Sequence, residues 1–343
     1  MEQQKKPKML IIDGSSVLTT CYYANLPLEV KMAKTDEEKE ESYRMILHAA
    51  DGTYTNGILG FCKILVRFIR DWQPDYIVTA FDKSRATTFR KKMYPDYKGQ
   101  RKKTPEPLRE QLHLIHRILA ESCIPVLISD QYEADDLAGS VVKKYKESMQ
   151  IMLLTKDRDY LQLVDDKNDV RCLIMTEEQS AEQFRMDYGL PRPELYCFRN
   201  VMEFNSARVQ SEKGVLPESI TDLKALVGDA SDNIPGVRGI SSAAAPLISH
   251  YKTIDALYAD IKKDMSKKAL KSLSEKWKED LDIKRSPMNA LIAGEKDAYL
   301  SKDLASIRTN IVLPDLLAFP TSRFATNKFN SWMEKLDIKS IRL

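Results

Sequence analysis

The sequence predicts an α/β fold: a parallel sheet flanked by helices, with a helical region after it. Two patterns lead there. Four short apolar runs, at residues 9–12, 76–81, 125–128 and 151–154, are continuous rather than alternating, as strands covered on both faces are. Helical periodicities separate them, and strand–helix alternation of this kind builds a parallel sheet. From about Leu216 onward only helical patterns continue.

Taken in order, the first run ends at Asp13, and a strongly acidic stretch at 35–41 follows as a solvated insertion. Residues 58–72 repeat apolar side chains at helical spacing before the second run. Next comes a basic stretch, 83–103, with nine Lys or Arg against one acid, Asp96. Leu108, Leu112, Ile115 and Leu119 make one face of a helix whose start is marked by Thr104 and Pro105. After the third run, 134–145 reads as a further helix, and the fourth run follows. Residues 198–213 show no clear period. Helices are then expected at 219–226, 243–250, 254–261 and 267–280, with a Gly-containing turn at 233–239. A boundary near 210–216 divides the chain into residues 1–212 and 213–343.

Composition narrows the function. With 343 residues, 43% hydrophobic and 30% charged, the chain can bury a sizeable core, in two domains or one elaborated one. No apolar run approaches the roughly 20 residues that span a bilayer. Only residues 9–12 separate Lys5, Lys6 and Lys8 from Asp13, too short for a signal peptide, so a cytosolic protein is expected. The five cysteines (Cys21, Cys62, Cys123, Cys172, Cys197) form no C-x-x-C pair, and the four histidines are scattered. Disulfide frameworks, zinc knuckles and histidine chemistry are therefore not expected.

The informative feature is where acids stand. Asp13, Asp82 and the pair Asp157 and Asp159 follow strands, and Glu133, Asp135 and Asp136 follow the remaining one. In an open parallel sheet ligands bind beyond the carboxyl ends of the strands. One acid in such a place is an ordinary helix cap. Acids at all four ends would repel one another unless cations neutralise them, and hard oxygen ligands suit Mg²⁺ or Mn²⁺. Asp229 and Asp232, three apart, could share a helical face. The basic stretch interleaves Tyr94 and Tyr97 with Lys and Arg, a pattern that meets phosphates and stacks on bases. Acids for metal and cations for phosphate together point to phosphodiester cleavage with two metal ions. Gly236 and Gly239, in a turn opening a helix, would present N–H groups to a phosphate.

The motifs LIIDGSS at 10–16, AFD at 80–82, YPDYKGQR at 94–101, YEADD at 132–136, TKDRD at 155–159 and GDASDNIPG at 228–236 occur in one order along the chain. In this it resembles the 5′ nuclease (flap endonuclease) superfamily, most closely the 5′→3′ exonuclease domain of bacterial DNA polymerase I. The resemblance implies a PIN-like sheet and a helix–turn–helix DNA clamp in the C-terminal region. It implies that Asp13, Asp82, Glu133, Asp135, Asp136, Asp157, Asp159, Asp229 and Asp232 surround two divalent cations, Mg²⁺ or Mn²⁺, with Asp136 and Asp229 acting mainly through bound waters. By the same resemblance residues 83–104 form a helical arch over a free 5′ strand. Lys98 and Arg101 contact the scissile phosphate, Tyr97 stacks on a base, Arg90 and Tyr94 join the DNA contacts, and K⁺ sits at the clamp with Gly236 and Gly239. The implied partner is DNA with a 5′ end or flap, or an RNA primer–DNA hybrid, handled by a monomer in the bacterial cytosol beside a separate polymerase.

Three departures accompany the resemblance. Residues 241–245 read SSAAA where the family has another Gly and a Lys. Insertions near 28–50 and 199–216 are long. The chain stops where the nuclease domain of polymerase I would stop, as a stand-alone enzyme or an excised fragment. Two rivals stand beside the nuclease: a PIN-like ribonuclease and a non-catalytic structure-specific DNA-binding protein. A phosphatase built on Asp13 is excluded, since it needs an acid where Ser15 stands.

Overall fold

The computed structural model describes residues 6–83, 87–192 and 198–343. Cys197 and residues 84–86 of the basic stretch lie outside the described residues. Six strands form one sheet: β1 (Lys8–Asp13), β2 (Tyr76–Asp82), β3 (Val126–Ser129), β4 (Gln150–Thr155), β5 (Val170–Met175) and β6 (Val201–Phe204). Their order is β3-β2-β1-β4-β5-β6, parallel except for β6. Ile11 stands opposite Val78 on one side and Leu153 on the other. The connections leave β1 toward β2 and return to its other side at β4, so the chain reverses direction at β1, where a crevice opens beyond the strand ends.

Both faces of the sheet are covered, which is why the strands read as unbroken apolar runs. Met9, Ile11, Val78, Ala80, Ile151 and Leu153 share one core. Leu10, Ile12, Ile77, Phe81, Met152 and Leu154 share the other. Helices α1 (Gly14–Ala24), α2 (Asn56–Arg67), α3 (Phe89–Met93), α4 (Glu106–Glu121) and α5 (Ala134–Tyr145) follow their strands. The first core takes Leu137 and Val141 of α5, the second takes Leu18, Phe61 and Ile115 of α1, α2 and α4.

The four expected strands are present, and two more complete the sheet. In β5 Arg171 interrupts the apolar run. The stretch read as an aperiodic insertion supplies β6, the edge strand, whose Phe204 pairs with Cys172. The C-terminal helices of eight residues or more are α6 (Ile220–Val227), α7 (Ala244–Tyr251), α8 (Ile254–Lys262), α9 (Lys267–Leu281), α10 (Glu295–Ala305) and α11 (Thr326–Lys335). The last of these does not stay with its neighbours. Thr321 and Ala325 donate to the carbonyls of Asp75 and Ser122, and Phe329, Trp332 and Met333 of α11 enter the second core of the sheet. Residues 320–343, expected within the helical unit, thus close the first one.

The loop 228–236 settles how the two late acids are held. Asp229 and Asp232 lie in a tight turn closed by reciprocal bonds between Asp229 and Ile234, not on a helix. Gly228 and Gly236, with φ of 71° and 63°, cross at its neck. A Cβ on Gly236 would lie 2.3 Å from the Gly228 nitrogen, so no other residue fits.

Candidate active site

Asp13 ends β1 and caps α1. Its carboxylate accepts the Ser16 N–H at 3.0 Å and the Thr155 hydroxyl at 2.7 Å. Burial, with the charge of Asp82 added, pushes its carboxyl up to about 7. Asp82, at the end of β2, accepts the Ala134 N–H at 2.9 Å, while its own N–H is held by the Ser15 hydroxyl at 2.8 Å. Asp157, after β4, caps the next turn through the Asp159 N–H at 2.9 Å. Burial, then the neighbouring Asp159, raises it to about 6. Asp135 lies in the first turn of α5. Burial drives its carboxyl well above the usual range, Arg90 and Lys98 work against this, and Asp136 and Glu133 add to it. Three carboxyls from three strand ends, Asp13 buried and Asp135 and Asp157 half-buried, are therefore held in an environment that resists their charge.

Cations of the basic stretch reach the remaining acids. Lys98 Nζ lies 3.1 Å from Glu133 and 3.6 Å from Asp232, and Arg101 also pairs with Asp232. The Lys98 backbone adopts φ of 52° and donates its N–H to the Asp232 carbonyl at 2.9 Å. Gln100 and Asn233 add bonds to the Ala230 and Asp96 carbonyls at 2.7 and 2.9 Å. Residues 96–101 are thereby laid along the 229–234 loop. Among the described residues of 83–104, α3 is the one helix, so this stretch is a folded cover rather than an extended helical arch.

Several expected roles change once burial is known. Tyr97 is 4% exposed and donates its hydroxyl to Glu133 at 2.9 Å, so it is not available to stack on a base. Tyr94 is half-buried with it against Ile234 and Leu304. Arg90, expected among the DNA contacts, is 1% exposed beneath the acids. Asp136 is fully buried, and both its oxygens accept from Arg90, at 2.7 and 2.8 Å, which leaves no place for a bridging water. Gly236 gives its N–H to the Ser301 hydroxyl at 2.9 Å instead of to a phosphate. Gly239, with φ of 86°, faces open space.

Sequence reasoning passed over Lys224, on α6. It bridges Asp159 and, at 2.6 Å, Asp229. Burial works to raise Asp229, but the bonds from Lys224 and Ser231 prevail and hold it down at about 2. A cation one turn before an acidic loop was the available signal. Thr155, the orienting partner of Asp13, carried none beyond its place at a strand end.

A groove of about 2500 Å³ runs over these residues, with Asp13, Asp82, Asp135 and Asp157 on its floor and Lys98, Arg101 and Lys224 at its walls. Among the described residues no three acids converge closely enough to ligate one ion; the cations stand between them. The donor set is nonetheless all carboxylate oxygen, with three members raised chiefly by desolvation and further by one another's charge, which fits a hard divalent cation.

The model of the 5′-3′ exonuclease N-terminal resolvase-like domain matches residues 8–189, and that of the 5′-3′ exonuclease C-terminal SAM fold matches 215–327. The chain belongs to the 5′-3′ exonuclease family. Among curated relatives, a 5′-3′ exonuclease of Bacillus subtilis is 31% identical over 255 residues, 74% of each chain. DNA polymerase I of Caldicellulosiruptor bescii is 32% identical over 340 residues, 97% of this chain and 33% of that protein. The chain spans about a third of the length of the DNA polymerase I relatives it matches. The T5 D15 protein crystallised with metal ions shares the fold, with TM-score 0.57 and 17% identity over 96% of this chain and 99% of that one. A zinc-bound T5 5′-exonuclease does so equally, at TM-score 0.57 and 18% identity over 97% and 99%. As a member of this family the chain is a nuclease, not a non-catalytic DNA-binding protein.

Proposed function

We propose that this 5′-3′ exonuclease family member hydrolyses DNA phosphodiester bonds at 5′ ends and 5′ flaps, with two divalent cations, Mg²⁺ or Mn²⁺, in the carboxylate groove. The observation that carries the reading is the delivery of acids from four strand ends and the 229–232 loop to one groove walled by Lys and Arg. The structures with bound metal ions among fold relatives are consistent with it. Asp13, Asp82, Glu133 and Asp135 would hold one cation, and Asp157, Asp159 and Asp232 the other. Such a pair activates the attacking water and stabilises the leaving oxygen of an in-line displacement.

The chain's own groups do the rest. Thr155 and the Ser16 N–H fix the Asp13 carboxylate, and the Ala134 N–H fixes Asp82. Lys224 holds Asp159 against Asp229. Lys98 and Arg101, now charge partners of Glu133 and Asp232, would turn to the scissile phosphate when DNA enters and stabilise its developing charge. At the 233–240 turn Gly239 is the open point for the duplex backbone, and K⁺ would be the ion bound at this clamp. We assign the role to replication and repair in the bacterial cytoplasm, as a monomer working with a polymerase; no described helix is long and apolar enough to cross a membrane.

Cleavage of a labelled 5′-flap duplex with Mg²⁺, beside EDTA and Asp135→Asn, tests this. Incision near the junction that both controls abolish, with DNA binding retained in Asp135→Asn, is expected. Cleavage of an all-RNA flap in preference to DNA would instead favour the ribonuclease.

A further inference from the structure

Among the described residues Arg90 is the largest charged side chain that is fully buried, and its surroundings are complete. Its Nη1 donates to Glu133 at 3.1 Å and to Asp136 at 2.7 Å. Its Nη2 donates to Asp136 at 2.8 Å and to the Ser306 carbonyl at 3.0 Å, and Nε to the Leu304 carbonyl at 2.8 Å. All five N–H donors of the guanidinium are used. Asp136, 0% exposed, is equally saturated, for beyond Arg90 it accepts the N–H groups of Glu133 at 3.1 Å and Arg308 at 2.8 Å. A group with no free donor and 1% exposure cannot meet a phosphate.

What the pair joins is informative. Arg90 belongs to α3, at the base of the basic cover, and Asp136 to the first turn of α5. Leu304 and Ser306 stand at the end of α10, whose last carbonyls have no helical partner of their own. Glu133 and Asp135 stand just before Asp136 in the chain, and Asp135 accepts the Asp136 N–H at 2.7 Å. Moving Asp136 therefore moves both groove acids. Glu133 is aimed directly: Arg90 takes Oε2, and Oε1 is left toward Lys98 and the groove.

We infer that Arg90 and Asp136 are a buried positioning pair, which aims Glu133 and Asp135 at the divalent cations and locks the cover and the end of α10 onto α5. This deepens the nuclease reading above and rests on it. It removes Arg90 from the DNA contacts and Asp136 from the metal shell. Partners that orient metal-binding groups in this way are worth about 10–100-fold in metal affinity or activity. Lysine cannot replace the guanidinium, since one ammonium cannot span both Asp136 oxygens and two carbonyls.

The test uses the whole chain with Arg90→Lys, Asp136→Asn and the double variant Arg90→Met/Asp136→Leu, which removes both buried charges together. Folding is followed by circular dichroism, Mn²⁺ binding by calorimetry, flap-DNA binding in EDTA across a salt series, and kcat against metal concentration. Expected are folded variants whose Mn²⁺ affinity and kcat fall about 10–100-fold, while DNA affinity and its salt slope match the wild type. If the single variants unfold, the double variant carries the same expectation. Mn²⁺ affinity and kcat at the wild-type level in Arg90→Lys would overturn the inference. So would a loss of Mn²⁺ affinity in Asp136→Asn alone, which would make Asp136 a ligand, or a salt slope reduced by about one in Arg90→Lys, which would make Arg90 a phosphate contact. A wild-type protein that neither binds Mn²⁺ nor cleaves would remove the nuclease reading, and this inference with it.

Discussion

Asp13 shows the conflict that a metal-dependent site builds into a fold. Its carboxyl, raised from the usual 3.8 to about 7, is protonated more readily folded than unfolded. Between those values the folded state binds the extra proton, so this group's contribution to stability is lost as pH rises from about 4 through 7. In metal-free protein Asp13→Asn, which keeps the cap to Ser16, should therefore raise stability at pH 8 by on the order of 1–3 kcal/mol, the full shift corresponding to about 4. The gain should vanish near pH 4, and activity should be lost throughout; urea titrations at the two pH values check this. His116 titrates with the opposite sign. Burial, then His113, lowers it from 6.5 to about 4, and its buried Nε2 has no hydrogen-bond partner among the described residues. The unfolded chain takes the proton first, so stability falls as pH drops from about 6.5 to 4. The slope should be well below the 1.4 kcal/mol per pH unit of a fully shifted group, because the ring is part-exposed. His116→Gln should flatten it, and subtracting the two slopes removes the carboxylates' share. Residue identity was thus legible where chemistry is crowded: the acids at strand ends were read from sequence. Which of them is saturated was not, because a saturated Asp136 and a groove-facing Asp135 are adjacent letters.

At the scale of elements, legibility followed periodicity. The helix 134–145 was read to the residue, and the continuous strands were read because both their faces are buried. β6 was missed because it is an antiparallel edge strand with one buried residue at each end, VMEF, and no long apolar run. In the 228–236 turn the condition under which Asp229 and Asp232 would share a helical face is not met, because two glycines impose a crossing instead. Its glycines can be told apart experimentally. At Gly236 a Cβ meets backbone at 2.3 Å, so Gly236→Ala should cost at least about 2 kcal/mol, clash added to the left-handed φ. At Gly239 nothing lies within 4 Å, so Gly239→Ala should cost only the conformational term, about 1–2 kcal/mol. Chemical denaturation of the two variants would rank them. Because Gly236 sits between the acidic loop and Ser301, its alanine variant should also lose flap cleavage, whereas Gly239→Ala should lose chiefly duplex affinity.

For the whole molecule the decisive fact is that the C-terminal chain returns. Leaving α10, it passes along α5, where Arg308 and Ile311 donate to Asp136 and Ser140. It then rounds the sheet to place α11 on α4, with Trp332 donating to Glu121 at 2.8 Å. Sequence periodicity cannot show this, since an amphipathic helix does not reveal which of two apolar faces it will cover. The consequence is mechanical: the sheet that carries the strand-end acids is closed by residues 320–343, which follow the helical region in the chain. Phe329 is 0% exposed in the core behind β1 and β2. Phe329→Ala should therefore cost about 3–5 kcal/mol, a large share of a typical domain's 5–15. The loss should fall on the sheet. Hydrogen exchange should quicken at β1, β2 and α4, and cleavage should decay with the folded fraction on warming. At temperatures where the variant stays folded, DNA affinity in EDTA should equal the wild type's. If exchange instead quickened first at α6 and α7, the tail would belong energetically to the helical region, and the boundary near 210–216 would describe stability as well as chain order.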